Sequence, residues 1–144
     1  MTEAQDRRRS IALAKRCERW AAHLSELGVA SWRFSVKITD EIESDDNGRP
    51  VARINTPPYY DQATITFARW FLDDVWDKDW RKLDEVIVHE WLHASMRDLD
   101  EAIERCEDWF PAASYDLYSD NVNHQRERLV ENLARLIVRL APND

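Results

Sequence analysis

The chain has 144 residues, 44% of them hydrophobic, a length that fits one domain with a real core. Its 28 acidic and 20 basic residues leave a net charge of −8, which argues against a general nucleic-acid binder or a binder of anionic membranes. Only two glycines are present, which excludes glycine-rich phosphate loops and the nucleotide-binding fingerprints built on them.

The first expected element is a helix from about Glu3 to Leu27, with Ile11, Leu13, Ala14, Cys17, Ala21, Leu24 and Leu27 as its apolar stripe. Arg7, Arg8 and Arg9 stand among Glu3, Asp6 and Glu18 and read as a solvated helix face. Gly28 is placed as the helix stop. The first twenty residues are too charged for a signal peptide, and no stretch approaches transmembrane length, so the expected location is the cytoplasm. In that reducing setting Cys17 and Cys106 are expected free and used for packing.

The period then changes. Trp32, Phe34, Val36 and Ile38 alternate with polar residues, as in a half-buried strand. Asp45-Asp46-Asn47-Gly48 signals a turn, so Val51 to Asn55 is expected to return as the hairpin partner. Pro57-Pro58 breaks the chain. Ala63, Ile65 and Phe67 form a third alternating strand, either an exposed edge open to an extended peptide or an internal strand with Thr64 and Thr66 facing solvent. The result is a small, mainly antiparallel three-stranded sheet. Asp73 to Asp79 reads as a polar connection, and Asp79 as the N-cap of a helix reaching about Asp98. An acidic, helix-compatible stretch follows to Phe110. Pro111 ends it, Ala112 to Val122 reads as a loop, and a last helix runs from about Asn123 to Leu140 with Val130, Leu133, Ile137 and Leu140 on its core side. The expected class is α+β in one domain, residues 1–144.

The motif helix contains VIVHEWLHASM, Val86 to Met96. His89 and His93 lie one turn apart on one face, close enough to reach a single metal ion. Glu90 is rotated aside, where it can hydrogen-bond a water beside that ion and act as general base. Catalytic zinc normally takes three protein ligands and keeps one position open. His124, Glu127 and Glu131 on the last helix share a face at i, i+3 and i+7. On a helical wheel Glu127 borders the apolar stripe, which makes it the best-placed third ligand. Glu131 follows as a partner that orients a histidine or as an alternative ligand, and His124 comes third.

HEWLH followed by a helix carrying Glu127-Arg128-Leu129-Val130-Glu131 resembles the gluzincin branch of the zinc metallopeptidases, and most of all the minimal gluzincins and small putative metallopeptidases of phages and prophages. Glu127 stands 34 residues after His93, a longer gap than in thermolysin-like enzymes, and no third-histidine pattern of the metzincin kind is present. The resemblance implies a zincin-like fold, one zinc ion per chain, a peptide or protein substrate, and hydrolysis with Glu90 as base. Tyr115, Tyr118 or His124 would then stabilise the oxyanion. The rival reading is a non-catalytic protein in which zinc staples helices, with His124 as a fourth ligand, acting as a phage structural or regulatory component or by docking on a host partner.

Overall fold

The computed structural model describes residues 3–29, 31–44, 48–57 and 61–141. Helix α1, Glu3–His23, buries Arg9, Leu13, Cys17, Trp20 and Ala21, a stripe at helical spacing. The expected stripe is shifted by part of a turn: Ile11 and Leu27 are exposed, and Trp20 points inward instead. A short 3-10 turn, Ser25–Leu27, ends at Gly28, whose φ of 77° is the left-handed conformation that glycine adopts without strain.

Strand β1, Arg33–Thr39, is followed by β2, Ala52–Asn55, and β3, Gln62–Ala68. The order in the sheet is β1-β3-β2. This corrects the expected hairpin: β1 and β2 do not pair. β3 is the central strand, the internal alternative and not the exposed edge. β1 runs parallel to β3, with Val36 beside Ile65 and Ile38 beside Phe67, while β2 runs antiparallel to it, with Ile54 beside Ile65. The sheet is therefore mixed. The physical reason lies in burial: β3 supplies Ala63, Ile65, Phe67 and Ala68 to the core, more than either neighbour, and takes the middle. The connection from Thr39 to Ala52 is also too long for a tight turn. Asp45 to Asn47 of the expected turn, and Pro58, lie outside the described residues. The outer face of the sheet is polar, and Ser35 and Thr64 share a hydroxyl hydrogen bond of 3.0 Å across it.

Helix α2, Arg69–Val75, follows β3 directly and buries Phe71, Leu72 and Val75, where the sequence suggested only a polar connection from Asp73 onward. Asp77, with φ of 60°, makes the turn into helix α3, Trp80–Ser95. The N-cap expected at Asp79 is present: its carboxylate accepts from the Lys82 amide at 3.0 Å. The chain breaks direction at Met96 and continues as α4, Arg97–Arg105, then a 3-10 turn, Cys106–Trp109.

The largest departure is helix α5, Ala112–Leu140, which includes the whole segment expected as a loop. Only Val130 and Ala134 of α5 are buried, with Leu133 and Ile137 half-buried and Leu140 exposed. α5 packs along α3, α3 against β2, and α1 against β1. One contiguous core results, with Trp91, Phe67, Phe71 and Leu13 among its fully buried side chains. Cys17 is buried in it, which pushes its thiol up to about 12, and Cys17 and Cys106 are both free. Among the described residues no helix is long and apolar enough to cross a membrane.

Candidate metal centre

α3 presents two faces. Leu83, Ile87, Val88, Trp91 and Leu92 hold it in the core, while His89 and His93 lie half-buried at the margin that faces α5. Burial of the apolar face thus fixes the rotation of the helix and the direction of both imidazoles.

His89, His93 and Glu127 come together at this margin, and their donor atoms form a group able to hold a metal ion. The two Nε2 atoms stand 3.1 Å apart. Glu127 Oε1 is 3.2 Å from His93 Nε2, and Glu127 Oε2 is 3.5 Å from His89 Nε2. Three ligands around a tetrahedral zinc with bonds of about 2.0–2.1 Å would have their donor atoms about 3.3 Å apart. The two imidazole nitrogens, and each of them with one Glu127 oxygen, stand near that spacing, so the residues fit the ion. The chemistry of the set, two imidazole nitrogens and a carboxylate, is also one that zinc takes.

Electrostatics point the same way. Hydrogen bonding to His89 and His93 holds the Glu127 carboxyl well below the usual carboxylate range, against a smaller opposing effect of burial. His89 is shifted upward overall: burial lowers it, but Glu127, Glu90 and Glu131 outweigh that effect.

Glu90 is buried beside the pair, 8% exposed, and its Oε2 accepts a hydrogen bond of 2.8 Å from the backbone N–H of Ile54. Burial raises its carboxyl, opposed by His89, His93 and that N–H. The partner strand β2 is the sheet edge nearest the site. Ala52, Arg53 and Ile54 line one side of a cleft of about 610 Å³ that runs over His89, Glu90 and His93 to Glu127. A second groove of about 390 Å³ continues past Val51, Val86 and Ala134.

The other candidates fall elsewhere. Glu131 lines that second groove, but its carboxylate is held by Arg135 at 2.5 Å. His124 is exposed and outside the donor group. Tyr115 and Tyr118 are on α5, not on a loop, about 18 Å and 13 Å along the helix axis from Glu127 at 1.5 Å per residue. Tyr118 stacks on Phe110, with ring centroids 5.8 Å apart. Neither tyrosine lines the cleft, which corrects their expected place beside a reacting carbonyl. The cationic groups that do line it are Arg53, Arg97 and Arg126. Arg126 pairs with Asp100 through Nη1, and its buried Nε has no partner among the described residues. Its place directly before Glu127 was the only sequence signal for it. No protein-family model, curated protein or solved structure matches the chain.

Proposed function

We propose that the protein is a zinc-dependent peptidase of the gluzincin type, with His89, His93 and Glu127 as ligands and Glu90 as general base. The observation that carries this reading is the cluster of two imidazole nitrogens 3.1 Å apart with the two Glu127 oxygens 3.2 and 3.5 Å from them, one each, and a buried carboxylate directly beside it. Zinc held there would polarise a scissile carbonyl and lower the pKa of a water towards about 7. Glu90 spends Oε2 on Ile54, which leaves Oε1 to accept the water proton and deliver it to the leaving amine. Its raised carboxyl suits both directions of that transfer. An extended peptide or protein substrate would lie along β2, the free sheet edge beside the cleft, in place of β3. Arg126, which lines the cleft, would take over from the tyrosines as the candidate to stabilise the oxyanion.

The stapling alternative needs a fourth protein ligand, and among the described residues the donor group has three. The open position favours catalysis. Elemental analysis after zinc titration should give about one zinc per chain. A peptide library should be cleaved by the zinc-loaded protein and left intact by Glu90→Gln. Absence of stoichiometric zinc, or equal cleavage by both proteins, would sink the proposal.

A further inference from the structure

Away from the cleft, α1, α3 and α5 line a half-open cavity of about 600 Å³. That size is within the range of small-molecule sites, about 300–1,000 Å³. Four guanidinium groups line it: Arg16 and Arg19 from α1, Arg81 from α3, and Arg139 from α5. One carboxylate, Asp84, faces them. In a chain of net charge −8 this concentration of cations runs against the average.

The ion pairs leave much of this charge loosely matched. Asp84 takes Arg16 through two hydrogen bonds, of 2.5 and 2.7 Å, and accepts the Trp20 indole N–H at 2.8 Å. Arg19 stands 3.7 Å from the same carboxylate, beyond hydrogen-bond distance. Arg81 is 3.7 Å from Glu85, outside the cavity lining. Arg139 has no ion pair or hydrogen bond among the described residues. Even with Glu85 counted, a surplus of two positive charges remains among the described residues. Guanidinium stays ionised, so the surplus persists at every pH the fold tolerates. Aromatic rings hold two of the four in place: Arg16 lies 4.9 Å from the Trp80 ring centroid, and Arg19 lies 5.9 Å from that of Trp20. Groups already fixed cost little entropy to bind.

We propose that this cavity binds a small anion carrying two or more linked phosphoryl groups. The guanidinium fork matches phosphoryl oxygens in pairs, and neighbouring phosphoryl groups supply the charge that the surplus lacks. The cations come from three helices, and linked phosphoryl groups offer more oxygens than one to meet all of them. A ligand here would clasp the start of α3 and the end of α5, the two helices that carry the metal-ligating residues further along.

The test is isothermal titration of the full-length protein with inorganic pyrophosphate at low salt. One site per chain is expected. Arg19→Glu and Arg139→Glu should each weaken binding by about tenfold or more, since each removes one attraction and adds a repulsion. Arg128→Glu makes the same change of charge on exposed α5 surface outside the cavity, and should stay within about twofold. Circular dichroism should show all three variants folded, because Arg128 and Arg139 are exposed and Arg16 keeps Asp84 hydrogen-bonded without Arg19. Citrate, a carboxylate anion, should bind at least about fivefold more weakly. Four results would overturn the proposal: no saturable binding, equal losses in the 128 and 139 variants, citrate as good as pyrophosphate, or a single-stranded oligonucleotide binding more tightly. Loss of binding in Glu127→Ala but not in Arg139→Glu would also overturn it, by placing the anion at the metal centre.

Discussion

At one margin of the α3–α5 pair, two imidazoles and a carboxylate crowd their donor atoms within 3.1 to 3.5 Å, with a second, buried carboxylate alongside. Near the start of α3, the equally buried Asp84 carboxylate is met by a bidentate arginine and an indole N–H. Both are polar groups withdrawn from water between packed helices. Asp84 is satisfied by the chain itself, so it reads as a staple between α1 and α3. In the histidine–glutamate group Glu127 is shifted down and His89 up, because each favours the charged form of the other. The hydrogen bonds each carboxylate accepts from distant elements therefore separate Asp84, tied to α1 three times, from Glu127, whose partners are two imidazoles able to hold a metal ion.

The sharpest way to break this comparison is Glu90→Gln. If the metal margin is catalytic, zinc is retained and peptide hydrolysis falls by about 10³-fold or more; normal turnover would remove Glu90 from the chemistry. At the other end, Asp84→Ala should destabilise the fold by about 3–5 kcal/mol, because Arg16 and the Trp20 indole lose their shared acceptor. Urea unfolding measures this, and a loss below about 1 kcal/mol would deny the staple role. Glu127→Ala should weaken zinc binding by about 100-fold or more. Glu131→Ala should cost less than about tenfold, since Arg135 and no imidazole holds its carboxylate. The reverse order in a competition assay would exchange their roles.

The pH dependence sharpens the contrast further. His89 is raised in the folded state, so its contribution to stability is full below its ordinary value of 6.5 and is lost as pH rises through the folded value. Glu90 is also raised, so its ionisation costs stability as pH climbs above its ordinary 4.5. The Glu127 carboxyl is lowered, and its contribution is lost only in acid, as pH falls below 4.5. The metal-free protein should therefore melt at a higher temperature at pH 6 than at pH 8. Zinc should reverse the order, because its ligands must be deprotonated. Identical pH trends with and without zinc would argue that the ion binds elsewhere. The smallest effect should again be at Glu90: metal-free Glu90→Gln at pH 8 gains about 1 kcal/mol, a rise of a few degrees in Tm, by removing a buried charge.

Much of the metal margin could be read from the chain because it depends on helical period alone. His89 and His93 share a face wherever α3 is helical, and Glu127 borders the stripe of Val130 and Ala134 that packs α5 on α3. What escaped reading depends on distant pairings. Nothing local to Ala63–Phe67 shows that it will sit between two other strands. Ala112 to Val122 lacks a buried stripe, so its helical state rests on local backbone bonding that leaves no hydrophobic pattern. α2 starts without a break from β3, with no glycine or proline to mark the change. The bond from Ile54 to Glu90 uses a main-chain donor, which every residue but proline carries, so residue identity gave no sign of it. The arginine cavity gathers side chains from three helices far apart in sequence.

That main-chain bond has a practical consequence. The Ile54 amide proton rests against a carboxylate whose ionisation is the event of interest, and a charge-assisted hydrogen bond is shorter and stronger than a neutral one. In a nitrogen-15 labelled sample the Ile54 resonance should move downfield as Glu90 ionises, which makes residue 54 a native reporter of that single proton. Its titration midpoint should lie above 4.5 in the metal-free protein and fall when zinc arrives, because a cation nearby favours the carboxylate.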